Sequence, residues 1–337
     1  MSKSISEQVV VLVGATSGIG MDAALQFGKR GAKLVLAGRS EAELRNVLTQ
    51  VRELGSDGIS VTADVTHWEQ VKAIVDQAVA TYGRIDTWVN LAAVSVYAAF
   101  ATMTPDEFKQ IMDVNFLGQV YGAMAVLPVM REQGSGTIIF ISSTEARIPI
   151  PLHSAYSASK HAVDAFSRSL RMELEHALQP IQITNILPSS VNTPFFAKSM
   201  TKLGVKPRPM PPVYEASAVS QAILYAAEHP IAEIMVGSSG HALHFVNRFS
   251  PRLADTIVKR IGFDLQQSSE IKSADAPSNL YEHLPGFNQV QGEFSSEARS
   301  ASMSTWLNTH PFVRLGIASL AFGATSYFVL RSVLKSR

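Results

Sequence analysis

The fold is decided by residues 9–20, which read Val9-Val10-Val11-Leu12-Val13-Gly14-Ala15-Thr16-Ser17-Gly18-Ile19-Gly20. The β-branched apolar run predicts a buried strand, and a helical pattern over residues 21–30 follows the glycines at once. Glycines allow a tight turn and a close backbone approach, while the start of the helix offers unpaired N–H groups and a positive dipole end. The stretch therefore predicts a strand–turn–helix unit that binds a pyrophosphate; a purely structural turn is the alternative.

Strands and helices alternate through most of the chain. Strand patterns at 33–37, 59–63, 85–90, 136–143, 181–188 and 233–237 are interleaved with helical patterns at 41–54, 68–82, 105–117 and 215–228. Such βαβ units have right-handed crossovers, which build a parallel sheet with helices on both faces. The sequence thus predicts an α/β protein with a Rossmann-type, doubly wound parallel sheet of about seven strands.

The end of the second strand is the expected position for reading the adenosine ribose of a dinucleotide. Gly38 and Arg39 occupy it, where an NAD-specific site would carry a carboxylate. An arginine can pair with a 2′-phosphate through a charge-assisted fork, so the sequence favours NADP(H) over NAD(H). The alternative is that Arg39 is solvated and both dinucleotides are accepted. Asp64 and Val65 follow the third strand, and Asp64 is expected to meet the adenine edge.

Tyr156 and Lys160 stand four residues apart at the start of a helical segment, which places both side chains on one helix face. A neighbouring ammonium lowers the pKa of a phenol, so this pair can act as a general acid and base. A surface tyrosine and lysine with no such role are the alternative. Ser143 lies thirteen residues earlier, at the carboxyl end of a strand, where open α/β sheets bind their ligands. Asn115 falls inside a predicted helix, an unfavourable place for asparagine.

These motifs together resemble the classical short-chain dehydrogenases/reductases over about residues 6–240, where residues 14–20, Asp64-Val65, Asn90, Asn115, Ser143 and the Tyr156–Lys160 pair follow the family's order. The resemblance implies that Tyr156 is the acid/base and that Lys160 lowers its pKa and holds the nicotinamide ribose. It implies that Ser143 hydrogen-bonds the substrate oxygen, and that Asn115 holds a water in a proton relay to Lys160. It also implies contact between Thr193 and the nicotinamide carboxamide.

The predicted catalytic residues are therefore Asn115, Ser143, Tyr156 and Lys160. The predicted cofactor-binding residues are Gly14, Thr16, Ser17, Gly18, Ile19, Gly20, Arg39, Asp64, Val65, Asn90, Ala92, Tyr156, Lys160, Pro188, Val191 and Thr193. No metal site is predicted. The chain departs from the family pattern at Leu91, Ala93 and Ser189.

The proline-rich stretch 195–214 is expected to form a semi-rigid substrate lid, because prolines stiffen a loop. Apolar residues are expected to line the pocket beside it: Val94, Val96, Tyr97, Phe100, Ile148, Ile150 and Leu152. The predicted function is an NADP(H)-dependent oxidoreductase that transfers a hydride between the nicotinamide and the carbonyl or secondary alcohol carbon of a small apolar substrate. The alternatives are a non-catalytic dinucleotide-binding scaffold or sensor, and a membrane-tethered reductase of a lipid-like carbonyl.

Composition narrows the expected partners, the possible cysteine chemistry and the expected location of the protein. The formal net charge is +1 without a dense basic stripe, so nucleic acid is not an expected partner. The absence of cysteine excludes disulfides, thiolate metal sites and a thiol nucleophile. Residues 1–8 lack the apolar core of a signal peptide, so the domain is expected in the cytoplasm. The family resemblance implies a homodimer or homotetramer paired through the helix that bears Lys160.

A long extension follows the dinucleotide-binding catalytic domain, which is assigned to residues 6–240. Residues 241–265 are predicted to be helical, 266–311 to be a polar irregular linker, and 312–334 to be an apolar C-terminal helix. Residues 315–330 carry no charge, and sixteen helical residues rise about 24 Å against a hydrocarbon core of about 30 Å. Flanking arginines can extend the span, so membrane association through 312–334 is expected; packing on protein is the alternative.

Overall fold

The computed structural model of the chain describes residues 3–300, 302 and 305–306. Seven parallel strands form the central sheet in the order β3-β2-β1-β4-β5-β6-β7. They are β1 (Val9–Val13), β2 (Lys33–Gly38), β3 (Gly58–Thr62), β4 (Thr87–Asn90), β5 (Gly136–Ile141), β6 (Ile181–Pro188) and β7 (Glu233–Val236). The predicted doubly wound Rossmann-type sheet is confirmed.

Helices cover both faces of this sheet. They are α1 (Gly18–Lys29), α2 (Glu41–Glu53), α3 (Trp68–Tyr82), α4 (Pro105–Met112), α5 (Gly118–Gln133), α6 (Ser154–His176), α7 (Ala216–Glu228), α8 (Ser238–Phe249) and α9 (Pro251–Ile261). Helices α1, α2 and α7 pack on one face, and α3, α5 and α6 on the other. Shorter elements are the helical turns Ile5–Glu7, Phe100–Thr102, Thr144–Ala146 and Phe195–Lys198, and the strands Val96–Tyr97, Val191–Asn192, Met200–Thr201, Val205–Pro207, Val213–Glu215, Gln267–Ile271 and Ala298–Arg299.

Strand β1 explains why its sequence is apolar throughout. Val10 and Leu12 lie in the core beneath α1, whereas Val9, Val11 and Val13 lie in the core beneath α3. Successive side chains of a strand point to opposite faces, and both faces of this sheet are covered. Strand β1 is hydrogen-bonded to β2 on one side and to β4 on the other. The strand order reverses at this point, which is where open α/β sheets form their ligand crevice.

The helix predicted over residues 105–117 is only partly observed. Helix α4 begins with a capping box, in which Thr104 Oγ1 accepts from Glu107 N at 3.2 Å and Glu107 Oε2 accepts from Thr104 N at 2.8 Å. Residues 113–117 then widen into a π-helical turn, and α5 continues the same rod to residue 133. Helix α5 is not among the predicted elements, since glycines and Pro128 interrupt its helical pattern.

The extension packs against the catalytic domain. Helices α8 and α9 lie close to the predicted boundaries. The segment predicted as a linker, residues 266–311, has little regular structure where it is described, but it packs on the catalytic domain through strand pairing. Residues 267–271 pair with Val205–Pro207 in an antiparallel ladder, and residues 298–299 pair with 213–214 in a parallel one. Its polar composition predicts an irregular backbone. Its pairing partners lie sixty or more residues away in the chain, so the local sequence carries no signal for them.

The apolar segment predicted over residues 312–334 lies outside the described residues. Within residues 3–300, 302 and 305–306, no helix combines the length and the hydropathy that a membrane span requires.

Candidate active site

A cavity of about 610 Å³ lies at the carboxyl ends of the strands, around the point where the strand order reverses. Most of the predicted site residues line it: Gly14, Thr16, Ser17, Gly18, Ile19, Gly20, Arg39, Asp64, Val65, Ala92, Ser143, Tyr156, Lys160, Pro188, Val191 and Thr193. Asn90 and Asn115 are buried behind its wall. One cavity thus joins the predicted dinucleotide-binding turn to the predicted catalytic residues.

The glycine turn fits a ligand that approaches the backbone closely. Gly14 has a φ of +100°, and a Cβ there would lie 2.6 Å from the amide nitrogen of Ala92. A Cβ on Gly20 would lie 2.0 Å from the carbonyl oxygen of Gly14. Any side chain at either position would therefore force the turn open. The turn keeps backbone N–H groups at the start of α1 against the cavity, the arrangement that binds a pyrophosphate.

Tyr156 and Lys160 lie in the first two turns of α6, with Lys160 Nζ 5.4 Å from the centre of the Tyr156 ring. Lys160 Nζ donates to the carbonyl oxygen of Ile141 at 2.9 Å, and burial lowers the pKa of Lys160 to about 8. The Tyr156 residue is half-buried, and its pKa lies above the ordinary value, first because of desolvation and second because of the Glu145 carboxylate. The sequence-based expectation was a lowered pKa; burial and Glu145 reverse that direction.

Ser143 lies two residues beyond the carboxyl end of β5, directly after Ser142. Its hydroxyl accepts from the backbone N–H of Glu145 at 3.1 Å, and its hydrogen bond with Tyr156 opposes the rise in the tyrosine pKa. The preceding hydroxyl, that of Ser142, donates to the carbonyl oxygen of Lys160 at 2.9 Å. The end of β5 and the start of α6 are thereby tied together, which fixes Ser143 and Tyr156 next to each other.

His153 and Glu145 belong to the site although neither is in the predicted catalytic set; the sequence leaves His153 open between a solvated and a functional role, and Glu145 was missed. The His153 imidazole is 1% exposed and stacks between two tyrosine rings, with centroids 4.2 Å from Tyr97 and 4.4 Å from Tyr156. Its Nδ1 lies 3.0 Å from Glu145 Oε1, and its Nε2 contacts the hydroxyl of Ser95. The imidazole therefore packs against the ring of Tyr156, and its Nδ1 contacts the Glu145 carboxylate. The signal available in the sequence was the position of Glu145, two residues after Ser143.

Asn115 lies in the π-helical turn, and its side chain bonds to protein groups. Its Oδ1 accepts from Val94 N at 2.8 Å, while its Nδ2 donates to Val94 O at 3.0 Å and to Ser159 Oγ at 3.2 Å. Its backbone carbonyl accepts from Gln119 Nε2 at 2.9 Å. The structure thus shows the amide as a brace between the β4 loop and α6. The water relay to Lys160 stays a prediction.

Cationic side chains gather near the glycine turn. Lys198, which sequence reasoning missed, donates from Nζ to Ser17 Oγ at 2.6 Å, and burial lowers its pKa to about 8, with Glu43 opposing. Arg39 lies close enough to lower that pKa further. Among the described residues the cavity wall carries four cations and two carboxylates, namely Arg39, Lys160, Lys198 and Arg208 against Asp64 and Glu145. The wall therefore has a net positive charge, which suits a polyanion.

The other end of the cavity is apolar. Of the residues predicted there, Val94, Tyr97, Ile148 and Ile150 line it. Val96 is instead buried in the core and Phe100 is 71% exposed, while Leu152 lies outside the described lining. The lid region adds apolar residues, and so do α8, α9 and the turn after α9: Phe195, Phe196, Met210, Leu243, Val246, Ile257, Ile261 and Leu265. Sequence reasoning missed the contribution of the extension because amphipathic helices do not reveal which surface they cover.

Comparison with known proteins decides the family. Residues 8–204 match the family described as short chain dehydrogenase. The chain belongs to this family. The predicted family is confirmed. The prediction that the protein is an oxidoreductase that binds NAD or NADP is confirmed with it.

Relatives of this short-chain dehydrogenase include one that shares its extension. The uncharacterized oxidoreductase YxnA of Bacillus subtilis (strain 168) is 34% identical over 321 residues, which cover 94% of this chain and 89% of YxnA. The 11-beta-hydroxysteroid dehydrogenase A of Sesamum indicum is 38% identical over 194 residues, covering 57% of this chain and 55% of that protein. A solved metagenomic short-chain oxidoreductase in complex with NADP is 27% identical, with a TM-score of 0.59 over 69% of this chain and 98% of its own.

Proposed function

We propose that the protein is an NADP(H)-dependent oxidoreductase that transfers a hydride between the nicotinamide and the carbonyl or secondary alcohol carbon of an apolar substrate. One observation carries the proposal: Ser143, Tyr156 and Lys160 meet on the wall of a cavity that runs from the glycine turn to an apolar end. When bound, the dinucleotide supplies the hydride or accepts it. The protein contributes placement, charge and a proton.

The proton step is assigned to the Tyr156 hydroxyl. In reduction, the carbonyl carbon gains the hydride and its oxygen takes the proton of Tyr156, while the Ser143 hydroxyl bonds the same oxygen as negative charge develops. Lys160 has three donors and spends one on Ile141 O, so it can also bond a ribose hydroxyl. Because the pKa of Tyr156 is raised, the phenol is protonated at neutral pH. A protonated phenol can donate its proton to the carbonyl oxygen in the reductive direction.

Apolar substrates are supported by the cavity lining. The end beyond Tyr156 is walled by apolar residues of the 195–214 region and by α8 and α9. The sesame relative is named for a hydroxysteroid, a large apolar alcohol. We therefore assign the substrate to apolar aldehydes and ketones, including steroid-like carbonyls, rather than to charged metabolites.

Tyr156→Phe tests the reaction. With NADPH and a panel of apolar aldehydes, ketones and steroid-like carbonyls, we expect kcat to fall by about 10²- to 10⁴-fold, the usual contribution of a general acid. NADPH affinity, measured by fluorescence titration, should stay within about threefold of the parent, since the substitution removes only the hydroxyl and keeps the aromatic ring. Tyr121→Phe, which removes a hydroxyl from α5 outside the cavity lining, is the control. An unchanged rate of NADPH oxidation on every active carbonyl would defeat the assignment.

Arg39→Ala tests the cofactor preference. Arg39 and Lys198 put two cations beside the turn that is expected to hold the adenosine ribose and pyrophosphate. A hydrogen bond to a charged group contributes about 1.5–3 kcal/mol, so the Kd for NADPH should rise about tenfold to a hundredfold, and that for NADH, which lacks the 2′-phosphate, should rise by less. Fluorescence titration of both dinucleotides measures this, with Lys29→Ala as a charge-matched control on α1. Tighter binding of NADH than of NADPH by the parent would reverse the proposal.

A further inference from the structure

A segment of the extension follows the crevice that is expected to hold the dinucleotide. We call residues 279–292 the crevice strap. At its first end the guanidinium of Arg39 donates from Nη2 to the carbonyl oxygen of Asn279 at 2.8 Å and from Nη1 to that of Tyr281 at 3.2 Å. A guanidinium has five N–H donors, so these two bonds hold Arg39 in place and leave it able to bind an anion.

The middle of the crevice strap contacts the glycine turn itself. Asn288 Nδ2 donates to the carbonyl oxygen of Thr16 at 2.7 Å, and the N–H of Gly18 donates to the carbonyl oxygen of Gln289 at 2.9 Å. Gly18 is the first residue of α1, so this N–H has no partner within the helix. The extension thus satisfies a backbone group of the dinucleotide-binding turn.

The far end of the crevice strap reaches the loop expected to meet the nicotinamide. A Cβ on Gly292 would lie 2.5 Å from the carbonyl oxygen of Thr193, so the two backbones are in direct contact. Just beyond, Asn192 Oδ1 accepts from Phe294 N at 3.0 Å. The crevice strap therefore touches residues assigned to the adenosine ribose, the pyrophosphate and the nicotinamide in turn.

Asn279 has an unpaired acceptor in the cavity wall. The residue lines the cavity and is 7% exposed, and its Oδ1 is buried without a hydrogen-bond partner among the described residues. Its backbone is fixed on both sides, because its N–H donates to Lys198 O at 3.0 Å and the next residue, Leu280, is fully buried. A buried acceptor left unpaired costs about 1–3 kcal/mol, so an unpaired acceptor in the wall of a ligand cavity indicates a donor on the ligand.

We propose that the crevice strap is part of the dinucleotide site: Asn279 Oδ1 accepts a hydrogen bond from the adenosine half, and residues 279–292 close the crevice so that bound dinucleotide leaves only when they lift. The inference rests on the proposed function, because it takes an adenine dinucleotide as the ligand. It adds binding residues from outside the region that matches the family, which ends at residue 204.

The acceptor is tested with Asn279→Ala. The Kd of NADPH should rise about threefold to tenfold, the usual loss for one hydrogen bond. The Kd of ADP-ribose, measured by competition with NADPH fluorescence, should rise by the same factor, whereas nicotinamide mononucleotide binding should not change. Asp275→Ala is the control, since Asp275 is an exposed residue of the extension outside the strap. Unchanged binding of both NADPH and ADP-ribose by Asn279→Ala would overturn the role of this residue.

The closing role is tested by a reversible lock. The side chains of Asn46 on α2 and Asn288 on the crevice strap are in contact, and the chain has no cysteine of its own. The double variant Asn46→Cys with Asn288→Cys, bridged by a short reducible thiol cross-linker, should release preloaded NADPH at least tenfold more slowly than before bridging. Bridged without ligand, it should take up NADPH at least tenfold more slowly, and reduction should restore both rates.

The outcomes separate the two proposals. Release and uptake at unchanged rates after bridging would overturn the closing role even if NADPH binds and is oxidised. Slower uptake without slower release would overturn it as well, since that pattern means that the strap competes with the dinucleotide. A parent protein that binds neither NADPH nor NADH would instead overturn the proposed function.

Discussion

At the scale of single residues, the chemistry depends on the surroundings of Tyr156. Its ring is stacked on His153, and Glu145 lies behind that imidazole. Burial raises the pKa of Tyr156 and lowers that of Lys160, and the carboxylate raises both. The negative charge therefore keeps the phenol protonated and helps keep the ammonium charged, the two states that carbonyl reduction needs.

Glu145→Gln is expected to shift the pH dependence of reduction. Removing the negative charge lowers the pKa of Tyr156 and of Lys160, so both lose their protons at lower pH than in the parent. The fall of kcat/KM on the alkaline side should move down by about one pH unit, within the usual range for a nearby charge. The profile is measured with NADPH and one active carbonyl between pH 6 and about 10.

Glu173→Gln is the matched control for this prediction. It makes the same change of charge on the exposed face of α6, the helix that bears Tyr156. Its alkaline limb should coincide with that of the parent. If the limb of Glu145→Gln also stays in place, the charge behind His153 does not act on Lys160, the group of this pair whose pKa of about 8 lies inside the measured range.

How well the sequence predicts each site residue depends on how far along the chain its contact partners lie. Ser143, Tyr156 and Lys160 follow local spacing, and all three line the cavity. The partners of other residues are distant in the chain: Lys198 bonds Ser17 across 181 positions, and His153 contacts Ser95 across 58. A charged or aromatic residue in such a place has no local pattern that distinguishes it from a solvated one.

At the scale of elements, residues 113–117 form a π-helical turn where the sequence pattern predicts a regular α-helix, because tertiary contacts favour the wider turn. Helical periodicity predicts one continuous helix here, but Asn115 turns inwards and bonds both backbone groups of Val94. A π-turn inserts a residue into a helix and so redirects a side chain. The intrinsic cost of asparagine in a helix is offset by these bonds, which periodicity alone does not reveal.

Asn115→Ala is expected to lower the free energy of unfolding by about 2–4 kcal/mol. The variant leaves the N–H and C=O of Val94 buried without their partner, and each such group costs about 1–3 kcal/mol. Urea denaturation followed by tryptophan fluorescence measures the loss. Gln77→Ala, an exposed change on α3, should stay within about 0.5 kcal/mol of the parent. A variant as stable as this control would show that the amide does not brace the β4 loop.

At the scale of the whole molecule, the extension and the catalytic domain share one site. The fold class follows from the alternation of strands and helices, since each βαβ unit is a local event. The placement of residues 266–300 does not, because their anchors are few and scattered: Leu280 in the core, backbone ladders to residues 205–207 and 213–214, and the bonds to Arg39 and Thr16. Polar composition predicts only that such a segment is irregular.

This arrangement predicts that a dinucleotide protects two distant parts of the chain together. A ligand at 100 times its Kd stabilises the folded state by about 2.7 kcal/mol, so NADPH should raise the melting temperature by roughly 4 °C. In hydrogen exchange with NADPH, amides at the start of α1 and amides of residues 279–292 should both slow, because both surround the same crevice. Nicotinamide mononucleotide, which lacks the adenosine half, should protect the strap end near Asn279 far less. Protection confined to the glycine turn would mean that the extension packs on the domain without taking part in binding.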